Sequence, residues 1–93
     1  MKHRDPAYLA KVRAIGCVVC EHLLAIGGVP AAAHHLFSPR ERSDYLTAAL
    51  CYEHHQGPRG FHGLGGARPF ERVYKLTEPD LLALTLAALN RGL

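Results

Sequence analysis

The most constraining feature of the sequence is a pair of short motifs, each of which places two metal-ligating side chains three positions apart. Cys17 and Cys20 form the first motif, and Cys51 and His54 form the second. Two residues at this spacing can direct their donor atoms at one ion, and two such pairs complete a tetrahedron. Thiolates favour zinc over harder ions, and a closed set of four ligands is typical of a structural site. The spacing therefore predicts a structural Zn²⁺ that fastens the two segments together.

The sequence leaves two alternatives to this zinc site open. His22 competes with His54 for the fourth position, although its closeness to Cys20 makes a closed site harder to form. The cysteines could instead be small buried hydrophobic residues that bind no metal. Their odd number, three, argues against a disulfide framework. We therefore expect zinc, with His54 as the fourth ligand.

The length of the chain makes such a metal useful. The 93 residues form one small domain, 1–93, in which a hydrophobic core alone stabilises the fold by roughly 3–5 kcal/mol. A composition of 48% hydrophobic and 20% charged residues is that of an ordinary globular domain. No apolar run approaches the roughly 20 residues that span a bilayer, and the polar N-terminus is unlike a secretory signal. We therefore expect a cytoplasmic protein without a membrane segment.

Local sequence patterns predict an α+β chain in which a β-hairpin connects the two motifs. The predicted elements, in chain order, are a helix over 5–15, a turn over 17–20, strands over 31–37 and 45–50, a short helix from Cys51, a glycine-rich loop over 57–66, a helix from Pro69 with Phe70, Val73 and Tyr74 inward, and a last helix from Thr77 to about Asn90. Leucines cover more than one face of the last helix, which leaves open a homodimer through this helix.

A second group of metal-binding side chains surrounds the predicted hairpin. The group consists of His34, His35, His55 and His62. Imidazole is both a metal ligand and a general base near neutral pH, so the cluster indicates a catalytic metal site. Neighbouring strand residues point to opposite faces, so His34 and His35 serve one centre only at a bulge or a strand end. Any single member, His62 above all, could instead be an ordinary surface or core residue.

Four arginines flank these histidines along the chain, in the hairpin turn and around the glycine-rich loop. They are Arg40, Arg42, Arg59 and Arg68. Guanidinium groups at these places would bind DNA phosphates without reading the base sequence, although each could also be an ordinary solvated charge. Because the net charge is only +3, we expect weak, salt-sensitive DNA binding with little sequence specificity.

The order of these motifs resembles a known enzyme family. CVVC is followed by AAHHL, a polar turn, LCYEHHQG, GFH and PFERVYKL. This order resembles the HNH (ββα-metal) endonucleases that carry an embedded zinc site, and within them the phage recombination-enhancing nucleases that depend on RecA. The likeness covers about residues 10–89. It implies a small, treble-clef-like ββα-metal domain of the α+β class, with a zinc-stapled hairpin and flanking helices.

The resemblance also implies a role for each residue of the second site. His35 would be the general base that deprotonates the attacking water. His34 and His55 would hold one divalent ion, Mg²⁺ or Mn²⁺, and His62 would be a further ligand or a phosphate contact. The implied activity is hydrolysis of DNA phosphodiester bonds in phage or prophage recombination, with a RecA filament as a partner.

The sequence departs from the family at the asparagine that orients the general base. The single asparagine of the chain is Asn90, far from the hairpin. Asp44, at the foot of the returning strand, is the candidate replacement because a carboxylate can hold an imidazole N–H; Thr47 is a poorer one. The missing asparagine leaves two further interpretations. One is a zinc module that binds DNA or a recombination protein with little or no catalysis, and the other is a histidine-rich metal-sensing site.

Overall fold

The computed structural model describes residues 2–38 and 42–91. Its elements in chain order are β1 (Lys2–His3), α1 (Pro6–Ala14), α2 (Val18–Leu24), β2 (Ala32–His35), β3 (Arg42–Ser43), β4 (Thr47–Leu50), α3 (Tyr52–His55), α4 (Phe61–Leu64), α5 (Ala67–Tyr74) and α6 (Glu78–Arg91). The α+β class that the sequence predicts is confirmed. Within the described ranges, every helix is too short or too polar to cross a membrane.

The first and last long helices begin where the sequence predicts. Asp5 caps α1, because its side chain accepts a hydrogen bond from the N–H of Tyr8 at 3.0 Å, and Pro6 fills the first helical position. At the start of α6, Thr77 and Asp80 exchange hydrogen bonds: the Thr77 N–H donates to the Asp80 carboxylate at 2.9 Å, and the Asp80 N–H donates to the Thr77 hydroxyl at 3.1 Å. Such reciprocal caps satisfy N–H groups that a helix leaves free.

The segment predicted as a turn around the first cysteines is instead the start of a helix. Cys17 is the N-cap of α2, and its Sγ accepts a hydrogen bond from the N–H of Cys20 at 3.5 Å. The prediction was wrong because a helical first turn places residues three apart on one side just as a tight turn does. The helix ends at Leu24, and Ala25 follows in the left-handed conformation with φ 57°.

The four strands form two small sheets. Strands β2 and β4 pair antiparallel in a register that places Ala32 opposite Leu50 and His35 opposite Thr47. This is the predicted hairpin, with strands shorter than the predicted ones. The second sheet pairs β1 with β3 in parallel and places His3 opposite Ser43. No local sequence pattern predicts this second sheet, which brings the N-terminal segment against the foot of the hairpin.

The core lies between the β2–β4 hairpin and the surrounding helices. Its fully buried side chains include Val12, Leu36, Leu50, Phe70 and Leu81. Helix α6 contributes a polar contact as well, since the hydroxyl of Thr85 accepts from the Ala49 N–H at 3.4 Å and donates to the Leu81 carbonyl at 2.9 Å.

Two helices differ in detail from the predicted packing. Val73 is exposed rather than inward, because α5 buries the face that carries Phe70 and Tyr74. On α6, Leu81 is buried, Leu82, Leu84 and Leu89 pack partly buried against the core, and Leu86 is exposed. Most of the leucines of this helix therefore contact the core of the same chain, and a homodimer through α6 stays a prediction.

Candidate metal centres

The structure brings the four residues of the two metal-binding motifs together in one buried cluster. Cys17, Cys20, Cys51 and His54 are all buried, and their donor atoms lie within 4.8 Å of one another. The Nδ1 atom of His54 lies 3.6, 3.5 and 3.2 Å from the three sulfur atoms, in chain order. None of the three cysteines forms a disulfide. These four residues are therefore positioned to bind a metal ion, and His22, the rival ligand, is exposed on α2 outside the cluster.

The spacing of the donors fits zinc. A tetrahedron with Zn–S bonds of about 2.3 Å has edges of roughly 3.8 Å. The sulfur atoms of Cys20 and Cys51 lie 3.8 Å apart. Three soft thiolates and one imidazole in a closed, buried shell are the donor set of structural zinc. The cluster therefore suits Zn²⁺ in a structural role and leaves no open position for a substrate.

Burial shapes the protonation of the cysteine cluster. It raises the pKa of the Cys17 thiol, and burial together with the neighbouring Cys17 and Cys51 raises the pKa of Cys20 to about 12. Both thiols therefore keep their protons at neutral pH when no cation is present. A metal ion that binds here must displace those protons, which couples its affinity to pH.

We expect the apparent zinc affinity to fall steeply as the pH is lowered. Because the pKa values of Cys17 and Cys20 lie above the working range, each zinc ion displaces at least these two protons, and each pH unit lowers the apparent affinity by at least about a hundredfold. Competition with a chelator of known zinc affinity, between about pH 8 and about pH 6, measures this slope. An affinity that is constant after correction for the chelator would contradict a thiolate site.

Helix α3 connects this cluster to a second one. His54 and His55 are the last two residues of α3, and successive helical residues point about 100° apart. His54 consequently faces the cysteines, while the ring of His55 lies 4.9 Å from the ring of His34, centroid to centroid. The structure thus places two groups of metal-binding donors on either side of one helical turn.

The second cluster consists of three histidines. His34, His55 and His62 have donor nitrogens within 4.8 Å of one another. Their ring centroids are separated by 4.9 Å for His34 and His55, 5.2 Å for His34 and His62, and 4.9 Å for His55 and His62. His34 is buried, His55 is half-buried and His62 is exposed. A metal ion held here would have one side open to solvent.

His34 has the properties of a metal ligand. It is only 4% exposed, and its Nε2 is buried with no hydrogen-bond partner among the described residues. Burial, followed by the charges of His55 and His62, lowers the pKa of His34 to about 3, so the ring is neutral at physiological pH. A neutral imidazole with a buried, unpaired nitrogen is costly without a partner and is ready to bind a cation.

Two glycines allow close backbone contacts around His62: Gly60 lets the loop approach α3, and Gly63 lets α4 approach the start of the loop. A Cβ added at Gly60 would lie 2.6 Å from the Glu53 carbonyl oxygen, and one added at Gly63 would lie 1.9 Å from the Gly57 carbonyl oxygen. Both contacts are with backbone, which cannot move aside cheaply. The glycine-rich segment is therefore a close backbone contact rather than the plain loop that the sequence predicts, and it contains α4.

His35 lies on the other side of β2 and is held by a carboxylate. Its Nε2 lies 2.9 Å from the Asp44 Oδ1. Hydrogen bonding by His35, and then by the Asp5 N–H, lowers the pKa of Asp44, so this carboxylate is ionised and can only accept. The His35 Nε2 therefore carries a proton and donates it, and in the neutral form of the ring Nδ1 is the acceptor. Thr47, the alternative, is buried and donates its hydroxyl to the Asp44 carbonyl at 2.9 Å instead.

The N-terminal segment completes the surroundings of Asp44, which the sequence analysis missed. The Asp5 N–H donates to the Asp44 Oδ2 at 2.7 Å, and the Asp44 N–H donates to the His3 carbonyl at 2.8 Å. The hydroxyl of Tyr45 donates to the Asp5 carboxylate at 2.7 Å. These contacts join residues about forty positions apart, so no local sequence signal predicts them.

The predicted arginines occupy different places. Arg42 belongs to β3 and lines the same groove as His35. Arg59 and Arg68 are exposed, the first in the loop before α4 and the second in α5. Arg40 lies outside the described residues.

Comparisons with family models, with curated proteins and with solved structures found no match to this chain. The fold and the two clusters define a small α+β domain with a closed Cys₃His centre and an open three-histidine centre.

Proposed function

We propose that this chain is a metal-dependent DNA endonuclease of the HNH (ββα-metal) type, with a treble-clef-like zinc site as its structural staple. The observation that carries the proposal is the arrangement of two adjacent residues. His34 belongs to a cluster of three imidazoles that can hold a metal, and His35 is an imidazole held by a carboxylate. A metal ion that acts as a Lewis acid and a general base held close to it are together suited to the hydrolysis of a phosphodiester.

The general base in this proposal is His35. With its Nε2–H donated to Asp44, its Nδ1 accepts the proton of the attacking water. Asp44 holds the ring in this tautomer and stabilises the imidazolium that forms, as the carboxylate of a catalytic triad does. Asp44 is therefore a positioning residue that takes the place of the family's asparagine.

The metal side consists of His34, His55 and His62. A divalent ion held by them would polarise the scissile phosphate and neutralise the developing charge on the leaving oxygen. The open side at His62 leaves room for phosphate oxygens. Of Mg²⁺ and Mn²⁺, the transition metal Mn²⁺ fits three nitrogen donors better, although imidazole suits Zn²⁺ better than either.

In this proposal, one phosphate lies at the end of strand β2, between the two histidines. His34 and His35 point to opposite sides of the strand, but His35 is its last residue. A DNA backbone that crosses this strand end would meet the metal on one side and the general base on the other. The strand end is one of the two conditions that the sequence analysis set for a shared centre.

Removal of His62 tests the metal side without disturbing the core. In His62→Ala, an exposed ring is lost, so we expect the fold and one bound zinc to persist while the Mn²⁺ affinity falls by at least about tenfold. The measurement is an electron paramagnetic resonance titration of Mn²⁺ into protein that holds one zinc per chain. His22→Ala is the matched control. Equal Mn²⁺ affinity in both variants would remove His62 from the site.

Nicking of supercoiled plasmid DNA across a series of divalent metals tests the activity. We expect nicking with Mn²⁺ and with Mg²⁺. A protein that slows the migration of DNA on a gel but cleaves it with no metal would favour the zinc-binding module instead. Tight uptake of a second zinc without DNA binding would favour a metal sensor. Association with a RecA filament, and a homodimer through α6, belong to the same proposal.

A further inference from the structure

A groove of about 630 Å³ lies on the His35 side of β2. Its walls come from two parts of the chain: the N-terminal segment contributes His3, Arg4, Pro6 and Leu9, and the hairpin contributes His35, Arg42 and Asp44. This volume is in the range of pockets that hold one small organic ligand. The three-histidine cluster is not part of its lining, so the groove is a separate feature beside the proposed general base.

The groove divides into an apolar part and a cationic part. Pro6 and Leu9 are the apolar lining residues, whereas Arg4 and Arg42 are exposed cations. Among the described residues, the structure gives neither arginine a carboxylate within salt-bridge distance. The one lining carboxylate, Asp44, is already occupied, since its oxygens accept from His35 and from the Asp5 N–H. Two guanidinium groups beside an apolar surface suit a ligand with a phosphate and an apolar body.

The groove is held in shape by contacts across the chain. Parallel pairing of β1 with β3 fixes Arg42 opposite Lys2, and the hydrogen bond from the Asp5 N–H to Asp44 fixes the start of α1. The rings of Tyr8 and Tyr45 pack edge to face, 5.0 Å between centroids. Arg4 and Arg42 therefore stand on backbone that is tied together from both sides.

We infer that this groove binds one nucleotide of a DNA strand, with its phosphate held by Arg4 and Arg42 and its sugar against Pro6 and Leu9. The inference rests on the proposed function for its choice of DNA. The bound nucleotide is the neighbour of the one whose phosphate lies at the end of β2. The N-terminal segment is then part of the substrate site, and Arg4, which the sequence analysis did not select, is one of its two phosphate contacts.

The test uses DNA binding in the absence of cleavage. The double variant Arg4→Gln/Arg42→Gln and the control Arg13→Gln are compared with the parent as zinc-loaded proteins without added Mg²⁺ or Mn²⁺. Arg13 is exposed at the far end of α1, roughly 10 Å along the helix from Pro6. The probe is a fluorescein-labelled single-stranded oligodeoxynucleotide, followed by anisotropy over a range of salt concentrations. Zinc content and circular dichroism confirm that each variant is folded.

We expect the double variant to bind about tenfold or more weakly at low salt. The slope of log affinity against log salt should fall by about 0.7, because the groove holds one phosphate of a single strand. Arg13→Gln should bind as the parent does. A double variant that binds like Arg13→Gln overturns the groove assignment, even if the parent cuts DNA. Conversely, lost binding in the double variant supports the groove even if no metal produces cleavage, so the two proposals fail separately.

Discussion

Substitution Cys17→Ser is expected to abolish zinc binding and unfold the domain. Cys17 is 1% exposed and supplies one of the four donors. Serine is a favoured N-cap, so the variant keeps the start of α2, and any loss reports on the metal. Structural zinc binding contributes roughly 10–16 kcal/mol of folding free energy, whereas the core of a domain this small contributes only about 3–5 kcal/mol. We therefore expect no cooperative unfolding transition.

The measurements are zinc content per chain and thermal unfolding followed by circular dichroism. The matched control is His22→Ala, because His22 is a potential zinc ligand by sequence but lies exposed outside the cluster. It should retain one zinc and the parental melting temperature. A folded, metal-free Cys17→Ser protein with the stability of the parent would show that the cysteines are ordinary core residues.

Substitution His35→Ala is expected to reduce plasmid nicking by about 10²–10⁴-fold, the usual contribution of a general base. The fold should persist, because the side chain of His35 lies partly exposed at the end of β2. The measurement is the initial nicking rate under saturating Mn²⁺, with zinc content and circular dichroism as checks. Nicking at the parental rate would remove His35 from the role of base.

Asp44→Asn separates the positioning role from the base itself. Asparagine offers one acceptor oxygen, whereas Asp44 accepts from both His35 and the Asp5 N–H. We therefore expect a nicking rate below the parental one, with a loss smaller than the roughly 10²–10⁴-fold of His35→Ala, because the amide oxygen can still accept the Nε2–H of His35. A loss as large as that of His35→Ala would mean that Asp44 does more than hold the ring.

The sequence was most informative where structure follows from neighbouring residues. The capping residues Asp5 and Thr77 predicted the starts of α1 and α6, and the two cysteine motifs predicted a cluster that the structure places together. These features depend on residues at most four positions apart, or on a spacing that metal geometry dictates.

Features that depend on distant pairing could not be predicted in this way. The β1–β3 sheet and the hydrogen bond from Asp5 to Asp44 join segments with no shared local pattern. The approach of the glycine-rich loop to α3 depends on the absence of a Cβ at Gly60, and the approach of α4 to this loop depends on its absence at Gly63; a sequence shows both only as flexibility. For this reason His35 and Asp44 could be predicted from the sequence, whereas Arg4 and the groove beside them could not.

Anomalous diffraction from crystals of the protein with one zinc per chain, soaked in manganese, tests the two metal sites most directly. We expect a zinc peak about 2.3 Å from the three sulfur atoms and about 2.0 Å from the His54 Nδ1. We also expect a manganese peak bonded to His34, His55 and His62. A cysteine cluster without zinc, or manganese bound away from these three histidines, would contradict the assignment of the two metal sites.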